Sequence, residues 1–310
     1  MAEARKKKMQ PRDQTPVRVG MISLGCAKNL VDGETMLGHL ERAGVELTAN
    51  ATRADVVLVN TCGFIDDAKR ESIDSILEVV QAKQEGEVRR LVVTGCMAQA
   101  YAEELRREIP EIDAFVGLDE LERITEAVRG ELSGHIPDQR GALKVYDSRN
   151  PRILSTGSYA YLKVAEGCNN PCSFCHIPEM RGRFRSRTID DLVREARSLE
   201  QRGVKELVLI AQDTTRYGED LGLGNGLRSL VEALLASTTV PWIRFLYAYP
   251  ATLDEGLFDL MATEVRFLSY LDVPLQHASR SVLKAMKRGG DARSYRAMIT
   301  RARAAVPDLT

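Results

Sequence analysis

The chain is 310 residues long and 44% hydrophobic, with 43 basic against 44 acidic side chains and a formal net charge of −1. That length holds two ordinary domains, and the balanced charge excludes a global field suited to wrapping nucleic acid or coating an anionic membrane. No run approaches the roughly 18 apolar residues of a membrane helix, and the opening MAEARKKKMQPRDQTP lacks the apolar stretch of a secretory signal, so a cytoplasmic protein without membrane contact is expected.

Residues 1–15, with Arg5, Lys6, Lys7 and Lys8, read as a disordered basic tail. From 16 to 130 a short β-branched run is followed each time by a turn and a stretch of helical periodicity. Strands are expected over 17–24, 56–60, 91–94 and 114–116, apolar enough to be buried on both faces. Helices are expected over 33–43, 66–84, 101–109 (closed by Pro110) and 119–129. The pattern predicts an α/β domain with a flavodoxin-like parallel sheet. Residues 131–158, rich in Gly, Pro, Ser and Asp, read as a linker. From 159 to 310, strands over 159–165, 207–211, 242–247 and 268–273 alternate with helices over about 188–202, 226–236, 254–262 and 279–286, and from Ala292 onward. Repeated β/α units predict a barrel, here a partial one truncated at its C-terminal end.

Six cysteines in a cytosolic chain of this size are too sparse for a disulfide scaffold and ask for a metal or redox role. Cys168, Cys172 and Cys175 fall as CxxxCxxC in EGCNNPCSFCHIP, directly after an expected strand. A loop returning three thiolates at that spacing can grip three irons of a cubane and leave the fourth open. The alternatives are a zinc site completed by His176, or a structural cluster completed by a distant cysteine. His176 is a poor fourth ligand, because adjacent residues seldom reach one tetrahedral ion. Cys26 in SLGCAKN, Cys62 in VNTCGFI and Cys96 in VTGCMAQ each follow the C-terminal end of an expected strand. In an open parallel sheet those ends line one edge, so the three thiols can converge. Gly25, Gly63 and Gly95 beside them would let backbone approach a bulky inorganic group. The alternative is three unrelated buried cysteines.

The CxxxCxxC loop resembles that of the radical S-adenosylmethionine (SAM) superfamily, and a three-cysteine α/β domain ahead of it resembles the methylthiotransferases. The segments SLGCAKNLVDGETMLG, VVLVNTCGFIDDAK, VAEGCNNPCSFCHIPEMRGRFRSR, LIAQDTTRYGEDLG and LDVPLQHASRSVLKAMKRGG extend that likeness over nearly the whole chain. They resemble the branch that modifies protein twelve of the small ribosomal subunit. The resemblance implies two 4Fe-4S clusters, one on Cys26, Cys62 and Cys96 and one on Cys168, Cys172 and Cys175, the latter binding SAM and cleaving it to a 5′-deoxyadenosyl radical. It implies β-methylthiolation of an aspartate in that ribosomal protein, with the first cluster carrying the sulfur, and it implies an electron donor. Members of the family carry a further small β-rich domain, which this chain is expected to lack. The nearest alternative is a transfer-RNA adenosine methylthiotransferase. From another class, a non-catalytic metal-binding module docking on ribosomes is the competitor, and contact with nucleic acid is compatible with either but not required.

Weaker signals remain, and no general acid or base is assigned. Arg181, Arg183, Arg185 and Arg187 alternate at a strand-like period and would face one way, toward an anionic partner or as a solvated edge. Gln212 and Asp213, past the strand over 207–211, are assigned to the SAM or substrate pocket, with a turn cap as the alternative. Gln276 and His277 occupy a similar place, His277 reading mainly as structural. Tyr247 and Tyr249 either line the pocket or finish a strand. His39 and His135 lie away from the strand ends.

Overall fold

The computed structural model describes residues 17–138 and 144–310, so the basic tail and part of the linker lie outside it. The first half contains β1 (Arg18–Ser23), α1 (Ala27–Arg42), β2 (Glu46–Thr48), β3 (Val56–Thr61), α2 (Asp66–Gln84), β4 (Arg90–Gly95), α3 (Cys96–Glu108), β5 (Ala114–Val116) and α4 (Ile124–Arg129). The five strands pair in parallel in the order β2-β1-β3-β4-β5, the flavodoxin arrangement. β3, VVLVNT, is buried at every position, as a central strand covered on both faces must be. Met36 and Leu40 of α1 pack one face with Ile124 and Ala127 of α4. Ile76 and Val79 of α2 pack the other with Ala98 and Ala102 of α3. Register aligns Ser23 with Asn60 and Asn60 with Thr94, so β1, β3 and β4 end level and their following loops meet along one edge.

Two helix starts and one strand stand out against expectation. Helix α1 starts at Ala27, and Gly33 lies inside it, because the helix passes so close to the sheet that a Cβ there would stand 3.1 Å from Asn60 Nδ2 and 3.2 Å from Met21 Sδ. Helix α3 starts at Cys96 and bends at Tyr101 (φ −131°, ψ 20°), and only the part beyond the bend carried a clear signal. The three-residue β2 has too little sequence to announce itself.

The second half contains β6 (Tyr159–Lys163), β7 (Ala165–Glu166), α5 (Ile177–Arg181), β8 (Arg185–Ser186), α6 (Ile189–Gln201), β9 (Glu206–Ile210), α7 (Gly226–Ser237), β10 (Trp242–Phe245), α8 (Gly256–Thr263), α9 (Arg280–Ala285) and α10 (Ala292–Ala305). Strands β10, β9 and β6 form a parallel three-stranded sheet in that order, with α6 and α7 packed over its apolar face. The strand expected over 268–273 does not form. One parallel bridge, Ile243 with Phe267, marks its start. Beyond it Tyr247 turns the chain with φ 64°, and its N–H donates to the Asp272 carboxylate at 2.7 Å, so a side chain takes the place of a ladder carbonyl.

The described part of 131–158 contains no strand or helix, in line with its composition, yet it is packed as a strap between the halves. Arg152 donates to Glu34 of α1 at 2.7 Å and to Glu195 of α6 at 2.8 Å. The Ser155 N–H reaches Glu34 at 2.7 Å, and Ser148 donates to Asp191 of α6 at 2.6 Å. Among the described residues no helix is long and apolar enough to cross a membrane.

Candidate metal centre and its cavity

Cys26 is the N-cap residue of α1, so its sulfur lies at the positive end of the helix. Its loop is fixed by a reciprocal pair of amides: Asn29 Nδ2 donates to Leu24 O at 2.7 Å, and Asn60 Nδ2 donates to Asn29 O at 2.8 Å. Cys62, past β3, is held through Ser72, which accepts from its N–H and donates to its carbonyl, both at 3.0 Å. Gly25 (φ 88°) brings the first two loops together, since a Cβ there would sit 2.8 Å from Cys62 Cβ. Gly95 (φ 90°) does the same for β4: a Cβ would lie 2.5 Å from Thr61 O. Cys96 follows it as the first residue of α3.

The second set sits on the loop after β7. Gly167 (φ 73°) lets that loop press on Arg183, whose carbonyl would be 2.1 Å from a Cβ, and Cys168 N–H donates to Gly182 O at 3.1 Å. Asn170 pins the loop, donating to Asp213 at 2.7 Å and accepting from Arg216 at 3.1 Å. Cys175 N–H donates to Cys172 O at 3.2 Å, and Arg288 approaches Cys172 Sγ at 3.7 Å.

All six thiols are free, and all six line one cavity of about 330 Å³ between the two halves. Among the described residues no three of them gather about a single point as ligands of one ion. What they share is a space wide enough for something larger. Burial raises the Cys62, Cys168 and Cys175 thiols above their ordinary pKa and pushes Cys96 up to about 11. At Cys26 burial acts in the same direction, but the positive Lys28 and Arg181 and the helix N–H groups outweigh it and hold the thiol below its ordinary value.

A buried charge network closes the cavity floor. Arg181 of α5, only 1% exposed, donates to Asp32 of α1 at 2.9 Å and to both oxygens of Glu166 at 3.1 Å, and its positive charge draws the Cys96 thiol down against burial. Lys163 of β6 bridges the same two carboxylates at 2.5 and 2.9 Å. Burial alone would raise the Glu166 carboxyl, but Lys163 and Arg181 hold it far below the ordinary range. Gln212 lines the cavity and donates to Glu166 at 3.2 Å. Asp213 does not line it; it stands behind, holding Asn170 and accepting from Thr215 at 2.7 Å. Tyr247, Tyr249 and Gln276 line the cavity, while His277 is exposed and accepts from Ser279 N–H at 2.9 Å.

The alternating arginines do not share a face. Arg181 and Arg187 are buried and paired, Arg187 with Asp191 and Glu195 at 2.6 Å, while Arg183 is exposed. Gly182 (φ 69°) breaks the period between helix and strand, and only Arg185–Ser186 is extended as β8. His176 is exposed beside Glu179. Lys28 and Arg288 were not singled out from sequence. Lys28 follows close on Cys26 in the same motif, which was the available signal.

Residues 18–117 match a family described as uncharacterized protein family UPF0004, and residues 162–310 match the radical SAM superfamily. Among solved structures, the radical S-adenosylmethionine methyltransferase TsrM from Kitasatospora setae, with cobalamin and a 4Fe-4S cluster bound, superposes with a TM-score of 0.61 at 15% identity, over 94% of this chain and 68% of that one. The cobalamin-dependent S-adenosylmethionine radical enzyme OxsB gives 0.57 at 14%, over 94% and 48%. Likeness at these identities speaks to fold, and the fold is that of the radical SAM proteins. Curated relatives narrow it: the ribosomal protein uS12 methylthiotransferases RimO of Symbiobacterium thermophilum (50% identical, 95% of this chain, 61% of that one), Koribacter versatilis (42%, 97%, 69%) and Solibacter usitatus (47%, 94%, 63%). The chain belongs to the RimO family of methylthiotransferases, and it spans 61% to 69% of the length of these members.

Proposed function

We propose that this chain is a cytoplasmic enzyme that methylthiolates the β-carbon of an aspartate in ribosomal protein uS12, using two 4Fe-4S clusters and SAM. The observation that carries the reading is the meeting of six free thiols, three from each half, on one cavity. Cys26, Cys62 and Cys96 would hold one cluster and Cys168, Cys172 and Cys175 the other; each set leaves one iron of a cubane without a protein ligand. The thiols fit such a group: Gly25 and Gly95 let the cysteine loops close on one another, and Arg181, Arg288 and the helix N–H groups offset thiolate charge. Bound to the second site, a cluster supplies the electron that cleaves SAM. The residues around it orient the reactants: Gln212 faces the cavity from the end of β9, with Glu166 fixing its amide, and Tyr247 and Tyr249 wall it from the end of β10. We read residues 16–130 and 159–310 as the two domains, each contributing one cluster site, with an external electron donor as partner.

The test is anaerobic reconstitution with iron and sulfide counting, and electron paramagnetic resonance with and without SAM. About eight irons per chain, with one signal altered by SAM, is expected for two open-site cubanes. Zinc, or about four irons with no response to SAM, overturns the reading.

A further inference from the structure

Between Arg280 and Asp308 the sequence holds eight basic side chains against two acidic ones, in a chain whose net charge is −1 overall. Two of the eight are engaged. Arg301 pairs with Glu255 at 2.7 Å, and Arg288 turns into the cavity, where it donates to Pro274 O at 3.1 Å. The other six, Arg280, Lys284, Lys287, Arg293, Arg296 and Arg303, are exposed, and among the described residues none of them has a carboxylate within ion-pair distance. On the first half, by contrast, Arg70 is answered by Asp67, Arg89 by Asp55 and Arg107 by Glu108.

The six cations are ordered in two rows. Arg280 and Lys284 lie one helical turn apart on α9, and Lys287 follows in a left-handed turn (φ 53°). On α10, Arg293, Arg296 and Arg303 keep to one side of the helix, opposite the buried Tyr295, Met298 and Ala302, over a length of about 15 Å. The rows start side by side, because Ala292 N–H donates to Ala278 O at 3.0 Å. The α9 row also adjoins the cavity mouth: Ser173, between Cys172 and Cys175, donates through its N–H to Met286 O at 3.1 Å and through its hydroxyl to Ala285 O at 3.0 Å.

We propose that the face formed by α9 and α10 binds the sugar-phosphate backbone of RNA, so that the chain meets uS12 on its ribosomal particle, with the target loop at the cavity mouth and RNA along the two rows. The inference rests on the uS12 reading above and adds a second surface of contact. Unpaired exposed cations repel one another, and a line of anions removes that repulsion. A single small anion needs one pocket, whereas cations strung along two helices suit a chain of phosphates. Four of the six are arginines, whose planar fork takes two phosphate oxygens at once. No exposed aromatic ring lies between the cations on either helix, so contact is with the backbone and without regard to base sequence.

The experiment uses the reconstituted chain, a fluorescent single-stranded RNA of mixed sequence and purified small ribosomal subunits, with binding followed by anisotropy and by sedimentation as potassium chloride is raised. Six phosphate contacts give the native chain a slope of log affinity against log salt of about −4. Lys284→Gln, Arg293→Gln and Arg296→Gln together should reduce it to about −2 and weaken both complexes by about tenfold or more. Arg70→Gln, Arg89→Gln and Arg107→Gln together change net charge equally and should leave the slope in place. The first triple variant should keep its thermal midpoint and its affinity for isolated uS12. A native chain that does not bind the RNA, a slope unchanged in the first variant, or a slope that falls equally in both overturns the proposal. So does RNA affinity that survives in the first variant while its reduction by an acidic flavoprotein slows, which makes the rows a dock for a protein. If the salt-dependent RNA complex forms as expected and neither isolated nor ribosomal uS12 is methylthiolated, the uS12 reading fails while the RNA face stands, which separates the two failures.

Discussion

Asp32 and Arg181 stand 149 positions apart in the chain and 2.9 Å apart in space. The pair joins α1 of the first half to α5 of the second, and both side chains are at least 98% buried. Removing one partner strands a charge in a dry interface. Arg181→Met should therefore lower unfolding stability by about 3–5 kcal/mol, read from urea denaturation, with Asp32→Asn costing less because Lys163 loses only one of its two carboxylates. The double variant should cost less than the sum, since the two share one network.

Division of labour between the thiol sets is tested by Cys168→Ala and Cys62→Ala. The first should abolish 5′-deoxyadenosine formation, measured by chromatography after anaerobic reduction. The second should spare it and block sulfur transfer. Equal loss of deoxyadenosine in both would remove the assigned roles.

Gly25 lets the loops that carry Cys26 and Cys62 approach each other by having no side chain. Alanine there is strained by φ 88° and meets Cys62 Cβ at 2.8 Å. The backbone alone costs about 1–2 kcal/mol. Gly25→Ala should bring reconstituted iron from about eight toward about four per chain, while the SAM-responsive signal persists. Loss of both signals would show instead that the substitution unfolds the chain.

Glu195 gives the acid limb of stability. Burial raises its carboxyl, but Arg187 and Arg152 outweigh that and hold it below the ordinary range. A depressed carboxyl contributes stability that is present above the unfolded value, about pH 4.3, and is lost as pH falls through the folded one. The thermal midpoint should thus drop between about pH 5 and about pH 3, and Glu195→Gln should be less stable at neutrality with a shallower acid slope. An unchanged slope would assign the acid limb to other groups.

The cysteines were legible because their signals are local: CxxxCxxC is a spacing, and the other three each follow a run of β-branched residues. The flavodoxin-like parallel class was legible for the same reason from β1, β3, β4 and β5, while the short edge strand β2 was not. The floor network was not. Nothing in the sequence around Asp32, inside an amphipathic helix, points to Arg181, and the alternation of Arg181 to Arg187 suggests a strand that Gly182 interrupts. The strand expected over 268–273 had the right composition, but Asp272 spends its carboxylate on Tyr247 and the ladder stops. Gly33 reads in sequence as the start of its helix, while in space it lies inside the helix where a Cβ would press on Asn60 and Met21 of the sheet.

Arg152 holds Glu34 with one nitrogen and Glu195 with another, and Ser148 and Ser155 add a bond to each half. The strap fastens the frame behind the cavity as the floor network fastens it within. The gap between the two thiol sets is therefore a fixed gauge, set by the folded chain before any reactant enters. Under the proposed function a substrate side chain would have to reach across that gauge, and its length would count in the choice of target.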